Sequence, residues 1–571
     1  MTLPTSAIEV EWQFDAPDLE AVRRWLESQP AHSTLAFVAR PERVQHDEYL
    51  DTHDWRVHRA RFTLRVRSLP DAAEATLKAF GDSADGVRRR LEINQPLPSG
   101  VTDPLAAEGP VSERLRLLLG SRDLRSLVVV DTHRRPYLIQ RDGVTLATLT
   151  LDEATVPGSE APPIRRVEVE EAFPGAMSEV DRFLHALRAA TGLTLASRSK
   201  FESGLAAVGL TPDAGLDFGT TEVADAADAP AAPFAYAAIR RNWAALLRRE
   251  PGTRLGEDIE ELHQMRVATR RLRAAMSAFA PVLPEELHSL RDELRWLAAA
   301  LGAVRDLDVQ LEALEHVRRE AGWDEGNAIG PLIDLVEESR REARRLLLAT
   351  LDSPAYDSLV QRLSDALRAG PPPATPAEGV PASAREFAAA LLRRRYRSFR
   401  RDAERLTRRS EAAEFHAVRI RAKRLRYSVD FTESLFGRPA LRLERELRRT
   451  QDLLGEHQDA DVARAWLHDV ARDRGGQLPP DTLFLMGQLS ERHAARMVEL
   501  RRDWPGHLER LEDRWTRLRR TFDAGATAAP PRPAPEGVRP RLAAPAPRRP
   551  RRVLRLPGFP RRPLPTTSDD E

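Results

Sequence analysis

Carboxylates and cations alternate along several short stretches between residue 1 and about residue 205, and their spacing fixes which of them can act together. In a β-strand, residues two apart face the same way. Within Ile8-Glu9-Val10-Glu11-Trp12-Gln13, the side chains of Glu9, Glu11 and Gln13 therefore share one face, opposite Ile8, Val10 and Trp12. Arg65 and Arg67 share a face against Leu64 and Val66, and Arg90, Glu92 and Asn94 share another. Glu168 pairs with Glu170 in the same way, while Lys78 and Asp152 sit on short alternating runs. On a one-sided sheet such a face is simply solvated. So many strands carrying both signs fit instead a barrel with a polar interior, its apolar outside covered by helices. Paired carboxylates suit a hard divalent cation such as Mg²⁺ or Mn²⁺, and arginines and lysines in the same lumen suit a polyanion. Cations for phosphates plus carboxylates for a bridging metal is the chemistry of phosphoryl groups.

A second constellation lies further along. At 100° per residue, His263, Arg266, Arg270 and Arg273 fall within a wedge of ~80°, beside an apolar stripe containing Leu262, Met265 and Leu272. His416, Arg419, Lys423 and Arg426 repeat that wedge, beside Phe415, Val418 and Leu425. Like charges at this spacing repel by a few tenths of a kcal/mol per pair. A duplicated helix that keeps the cost in register is more easily explained by a bound anion, to which arginine gives forked contacts and histidine a titratable donor. Neither helix offers a second histidine three or four residues on, so zinc is a poor reading.

The elements that must position these residues follow from periodicity. Residues 1 to about 205 read as strands interrupted by two helices, Asp18 to Ser28 and Ala176 to Thr191, the latter ended by Gly192. The expected organisation is a strand-rich domain over 5–205, a linker over 206–233, and a helical domain over 234–522 with halves at about 234–369 and 384–522. A Pro- and Arg-rich tail over 523–571 is expected to be disordered. The helical halves are a duplication: His263 and His416 lie 153 residues apart, and so do the later segments that start at Leu301-Gly302 and Leu454-Gly455. Arg305-Asp306-Leu307-Asp308 and Gln458-Asp459-Ala460-Asp461 in those segments are expected to pair with the cations and fix their rotamers.

The chain of 571 residues has 88 basic and 87 acidic side chains, so it is nearly neutral although 31% charged. It has no cysteine, which excludes disulfides and thiolate chemistry. Its most apolar run, Trp296 to Val304, is far short of the ~20 residues that span a bilayer. No signal peptide is evident, so a soluble, cytoplasmic protein is expected. Only three basic residues are lysines, Lys78, Lys200 and Lys423. Lys78 and Lys423 stand in the constellations described here.

The ordered blocks resemble a known family. Glu9-Val10-Glu11-Trp12-Gln13 resembles the ExExK motif of CYTH domains, the triphosphate tunnel metalloenzymes that include type IV adenylate cyclases and thiamine triphosphatases. Tyr49 to Asp54, Leu64 to Arg67, Leu77-Lys78, Arg90-Leu91-Glu92, Leu151-Asp152-Glu153, Glu168-Val169-Glu170 and Ser199-Lys200 resemble the later blocks, in the family's order. The resemblance implies an eight-stranded antiparallel tunnel, with Glu9, Glu11, Asp152, Glu168 and Glu170 as metal ligands. It implies Arg65, Arg67, Lys78, Arg90 and Lys200 as triphosphate ligands, with one more cation from Arg134 or Arg135. One position departs: Gln13 stands where the motif has lysine, which keeps a donor and loses the charge. The helical half resembles the CHAD domain, through the His-Arg segments of both repeats and the segments from Leu301 and Leu454. That resemblance implies two four-helix bundles related by pseudo-twofold symmetry, with a basic surface that binds inorganic polyphosphate.

The expected architecture is thus multidomain, an α+β antiparallel barrel tunnel followed by an all-α duplicated bundle. The expected function is a polyphosphate-binding protein with a metal-dependent tunnel that hydrolyses triphosphate or tripolyphosphate. The alternative, motivated by Gln13, is non-catalytic binding and targeting to polyphosphate granules. Nucleic-acid binding is a third class. Near-neutral charge, 6% aromatics and the lack of a stacking motif argue against a specific nucleic-acid partner.

Overall fold

The structure is a computed structural model that describes residues 6–29, 35–68, 72–84, 87–98, 100–173, 175–212, 215–222, 228–320, 323–372, 381 and 383–522. The tail expected over 523–571, and parts of the expected linker, lie outside the described residues. The chain forms two compact units, Met1–Asp217 with Glu250–Asp258, and Phe218–Arg249 with Ile259–Glu571.

Strands of the first unit are β1 (Ser6–Asp15), β2 (Ala36–Ala39), β3 (Arg43–Asp51), β4 (Phe62–Ser68), β5 (Ala73–Ala79), β6 (Asp82–Ala84), β7 (Val87–Leu97), β8 (Arg125–Arg141), β9 (Val144–Thr155), β10 (Ile164–Glu171) and β11 (Thr194–Leu195). Eight of them close a ring in the order β1-β10-β9-β8-β3-β4-β5-β7, with β7 returning to β1, and every pair is antiparallel. Closure leaves the ring itself without a free edge. Helices α1 (Leu19–Glu27), α2 (Arg56–Arg59), α3 (Pro110–Leu119), α4 (Met177–Thr191) and α5 (Lys200–Ala207) complete the unit. Asp18 caps α1 through its side chain, and α4 ends on Gly192 at φ 69°, a conformation that favours glycine.

The apolar core of this unit lies outside the ring. Phe14, Leu149, Leu151, Val167 and Val169 pack against Leu19, Val22 and Leu26 of α1 and Val180, Leu184 and Leu187 of α4. On the other side Leu64, Val66, Ala75, Leu77 and Ile93 meet Val111, Leu115 and Leu119 of α3. Each strand spends its apolar face outward, so the alternating charged face has only the lumen to enter.

The second unit is helical: α6 (Ala231–Leu255), α7 (Ile259–Ala278), α8 (Glu285–Glu320), α9 (Trp323–Ala328), α10 (Gly330–Leu351), α11 (Pro354–Ala369), α12 (Ala384–Ala403), α13 (Ala412–Phe431), α14 (Glu433–Phe436), α15 (Arg438–Arg474) and α16 (Pro480–Arg519). Helix α6 begins at Ala231, slightly inside the segment expected to be linker. The repeat spacing of 153 residues carries both ends of α7 onto those of α13, and the first residues of α6 and α8 onto those of α12 and α15. The fourth helix breaks the symmetry. Ser353 and Pro354 separate α10 from α11, whereas α16 runs on through Pro505. The last turns of α8 and the first of α10 share a core with the last turns of α15 and the first of α16, through Leu314, Ile333, Val336, Leu467, Leu485 and Leu489. Among the described residues no helix is long and apolar enough to cross a membrane.

Candidate functional site

The ring encloses a cavity of about 1480 Å³ lined from all eight strands. Glu9, Glu11 and Gln13 enter it from β1, Asp47 from β3, Arg65 and Arg67 from β4, Lys78 from β5, and Arg90, Glu92 and Asn94 from β7. Arg134 comes from β8, Thr148 and Thr150 from β9, and Glu168 and Glu170 from β10. Asp152 is fully buried in the wall between its two cationic partners.

Three charged groups organise the lumen. In the first, Lys78 Nζ lies 2.7 Å from Glu9 Oε1 and 2.8 Å from Glu92 Oε2, while Arg90 Nε lies 2.8 Å from Glu9 Oε2 and its Nη2 meets Glu11 Oε1. In the second, Arg67 makes a fork onto Asp47, at 2.6 and 2.8 Å, and Arg65 donates to Thr76 Oγ1 at 3.2 Å. In the third, Arg134 grips Asp152 at 2.9 and 2.5 Å and Glu168 at 2.8 Å, and Lys200 Nζ meets Asp152 and lies 3.1 Å from Glu168. Lys200 is the first residue of α5, held there by a capping box between Ser199 and Glu202. Gly204 allows α5 to lie on β8, since a Cβ would stand 3.2 Å from Val130.

Gln13 links two of these groups, donating to Glu11 at 2.8 Å and to Glu168 at 3.3 Å, while its Oε1 accepts from Arg166 at 3.4 Å. Arg166 is fully buried; it also donates to the Arg198 carbonyl at 2.8 Å and pairs with Asp15 at 3.1 Å.

The electrostatics separate the carboxylates into two sets. Burial works against ionisation of Asp47 and Glu92, but Arg65 and Arg67 beside the first, and Lys78 and Arg65 beside the second, hold both carboxyls at about 2. Burial is likewise overcome at Glu168, where Lys200 and Arg134 hold the carboxyl well below its ordinary value. Glu11 behaves oppositely: burial, with the charges of Glu9 and Glu168, pushes it up despite Arg90. Glu170 stands at the rim, where water reaches its outer edge. The protein wall around it, together with Glu9, Glu92 and Glu11, pushes it up to about 7.

Glu11 and Glu170 thus resist ionisation because the nearby cations do not fully offset burial and the neighbouring carboxylates, and Glu9 is one of those neighbours for both. Among the described residues no three carboxylates or histidines form a ready-made metal cage. Mg²⁺ is commonly held by one or two carboxylates plus substrate phosphates, so this oxygen donor set fits a hard divalent cation that arrives with its phosphate ligand. Asp152 and Glu168, also expected as metal ligands, lie here against Arg134 and Lys200, as Glu9 and Glu11 lie against Lys78 and Arg90. The choice between Arg134 and Arg135 is decided here. Arg135 turns away to Glu20 of α1, and Arg134 enters the lumen.

In the helical unit α7 packs against α13, and the two stripes converge. Lys423 is half-buried, and burial together with Arg419, Arg270 and Arg266 pushes its ammonium down to about 7, with Asp459 opposing. Arg266 reaches Asp306 at 3.2 Å and His416 Nδ1 meets Gln458 Oε1, whereas Asp308 of the same segment pairs instead with Arg340 of α10 at 2.6 Å. Arg426 is tied back by Gln451 at 2.8 Å and Glu444 at 3.1 Å. Arg273 lies toward Arg291 and Arg295 of α8. His263 is on the same face of α7 as Arg266 and Arg270. The structure therefore gathers Arg266, Arg270, Arg419 and Lys423, flanked by the histidines, and sets Arg426 and Arg273 apart.

The CYTH domain family profile matches residues 8–204, and the CHAD domain family profile matches residues 237–468. The chain is a CYTH domain joined to a CHAD domain. Among solved structures it is similar to the CHAD domain of Ricinus communis, with 28% identity over 51% of this chain and 96% of that one, TM-score 0.43. It is similar also to a putative adenylyl cyclase from Hippeastrum described as having a dominant triphosphatase activity, with 18% identity over 36% of this chain and 98% of that one, TM-score 0.29. A third is PptA from Streptomyces chartreusis, with 18% identity over 50% of this chain and 100% of that one, TM-score 0.39. None of the curated proteins matches the chain.

Among the residues that sequence reasoning missed, Asp47 enters the lumen and Arg166 is fully buried behind Gln13. Asp47 anchors Arg65 and Arg67, and Arg166 anchors Gln13. Both were accessible through the two-residue rule: Asp47 alternates with Tyr49, and Arg166 with Glu168. In the CHAD domain, the engagement of Arg426 by Glu444 had no local signal, because the partners lie on different helices.

Proposed function

We propose that the CYTH tunnel binds triphosphate-type chains together with Mg²⁺ or Mn²⁺ and hydrolyses them, and that the CHAD domain holds inorganic polyphosphate. The observation that carries this reading is the fully charged lumen. Replacing a buried ion pair by apolar side chains is often neutral or stabilising by roughly 1–4 kcal/mol, so folding alone does not call for three such groups inside one barrel. A triphosphate entering the tunnel takes over as counter-charge for Arg65, Arg67, Lys78, Arg90, Arg134 and Lys200. That exchange releases Glu9 and Glu11 from Lys78 and Arg90. Glu9, Glu11 and Glu170 are then the residues that would hold the metal, which would polarise phosphoryl oxygens and offset their charge. The cations neutralise and align the chain so that water can meet its terminal phosphorus. In the test, the full chain releases phosphate from tripolyphosphate with Mg²⁺ or Mn²⁺, and Glu9→Ala/Glu11→Ala does not. Equal release by both proteins, with the fold intact, ends the hydrolase reading. A panel with thiamine triphosphate and ATP ranks the substrates.

Gln13 supports a second reading, binding without turnover. Its neutral amide bridges Glu11 and Glu168, where the CYTH motif has a lysine. In that case the chain is a polyphosphate-retaining protein of cytoplasmic granules. Gln13→Lys separates the two: activity that arises only in the variant favours the non-catalytic protein.

A further inference from the structure

The duplication supplies an internal control that exposes a second charged surface in the CHAD domain. Residues 153 apart occupy equivalent places in the two halves, as the matching ends of α7 and α13 show. In the first half, Arg241 and Arg271 stand at the junction of α6 and α7 with Asn242 and Ala268. There Arg271 is neutralised: it lies 2.5 Å from Asp430 Oδ2 and donates to Asn242 Oδ1 at 3.1 Å. The equivalent residues of the second half are Arg394, Arg424, Arg395 and Arg421. Two arginines have become four.

The acid has gone as well. The residue equivalent to Asp430 is Ser277, and Arg395 Nη2 reaches its carbonyl oxygen at 3.4 Å and its hydroxyl at 3.5 Å, both neutral. Arg395 Nε is buried with no hydrogen-bond partner among the described residues. Arg421 is met by Asp402 at 3.1 Å. Arg394 and Arg424 are exposed and make no ion pair among the described residues. Burial with Arg394, Arg424 and Arg421 pushes the Arg395 guanidinium down to about 10. Because the first half builds the same helix pair with Asn242 and Ala268, the added arginines are not required by the fold. They raise its electrostatic cost.

We propose that Arg394 and Arg395 of α12, with Arg421 and Arg424 of α13, form a second binding surface for an inorganic phosphate chain. It is separate from the histidine stripe: on α13, the midpoint of Arg421 and Arg424 lies roughly 140° round the helix from that of His416, Arg419 and Lys423. Arginine forks match phosphate oxygens, and four of them with one acid favour a multiply charged chain over a single carboxylate. The nearest aromatic rings of α12, Tyr396 and Phe399, are buried, so the surface offers no exposed ring of that helix on which a base could stack. A chain free of bases is the better occupant. The inference takes its ligand class from the polyphosphate reading above and its site from the asymmetry.

The test gives the second half the first half's residues. Arg395→Asn/Arg421→Ala in the full chain is titrated with labelled long-chain polyphosphate over a salt series in EDTA, beside Arg266→Ala/Arg270→Ala in the stripe. The expected result is roughly tenfold weaker binding and a salt slope lower by about 1 for the first variant. Wild-type affinity and slope in that variant overturn the inference, while a loss confined to the stripe variant leaves the polyphosphate reading standing. A loss confined to the Arg395→Asn/Arg421→Ala protein has the opposite meaning: this surface exists and the stripe is not the anion site. Should Arg395→Asn disturb packing, the exposed pair Arg394→Gln/Arg424→Gln reports the same loss without touching the core. A single-stranded oligonucleotide that displaces polyphosphate at equal phosphate concentration overturns the assignment of the ligand.

Discussion

Asp47 and Lys423 are single side chains set by opposite environments, and each has a measurable consequence. Asp47 is buried between Arg65 and Arg67, and its folded value of about 2 lies below the 3.8 of an unperturbed carboxyl. A depressed carboxyl contributes stability above the unfolded value and loses it as pH falls through the folded one. Its share is about 2 kcal/mol, present above roughly pH 4 and gone near pH 2. Asp47→Asn leaves Arg67 and Arg65 uncompensated, and the expected loss is about 3 kcal/mol at pH 6. Urea titrations of both proteins at pH 6 and pH 3 should show that difference narrowing at the lower pH. Lys423, at about 7, faces Arg419, Arg270 and Arg266, with Asp459 opposing. It therefore loses its proton as pH rises through 7, and a bound phosphate chain restores it. Polyphosphate affinity should fall between pH 6.5 and 8.5, by up to about tenfold per unit above 7. Lys423→Arg should flatten that profile, because a guanidinium keeps its charge. An unchanged slope in the variant places the titration elsewhere.

At the scale of elements, the strands and one short helix aim these groups. The two-residue repeat of β1, β4, β7 and β10 sends carboxylates and cations inward because Phe14, Leu64, Val66 and Val169 are claimed by the outer helices. Helix α5 has a different task, since its first residue is Lys200. Removing its capping box with Ser199→Ala should cost about 1 kcal/mol of local stability. The tripolyphosphate KM should rise more than kcat falls, as Lys200 loses its fixed origin. A variant with lower melting temperature and unaltered KM assigns the capping box to stability alone. Duplication acts at this scale too. The helices α6, α7 and α8 start in register with α12, α13 and α15, yet α16 is continuous where α10 and α11 are separate, and α12 and α13 carry arginines that α6 and α7 lack.

For the whole molecule, two kinds of anion chemistry share one chain and differ in their need for metal. The tunnel pairs carboxylates with cations, whereas the CHAD stripe gathers arginines and Lys423, with Asp306, Gln458 and Asp459 beside it. EDTA should abolish phosphate release from tripolyphosphate and leave retention of long-chain polyphosphate unchanged. Glu9→Ala/Glu11→Ala should reproduce that split, and Arg270→Ala/Lys423→Ala should give its mirror image. Simultaneous loss of both activities in either variant contradicts two separate sites.

The sequence by itself determined which residues share a face, because strand and helix periods are local properties. Glu9, Glu11, Arg65, Arg67, Lys78, Arg90, Glu168 and Glu170 could be grouped on that basis, and the helical repeat was visible as two motifs at one spacing. What local periods do not carry is which face meets which across a closed ring. Arg134 and Arg135 are adjacent, equally polar and followed by Pro136, so only the pairing of β8 with β9 set Arg134 on Asp152. Tertiary packing alone also tied Arg426 to Glu444, buried Arg166 under Gln13, and brought Lys423 among arginines of another helix. Partners that lie far apart in the chain meet only when the fold closes. Their charges, unlike their faces, are decided there.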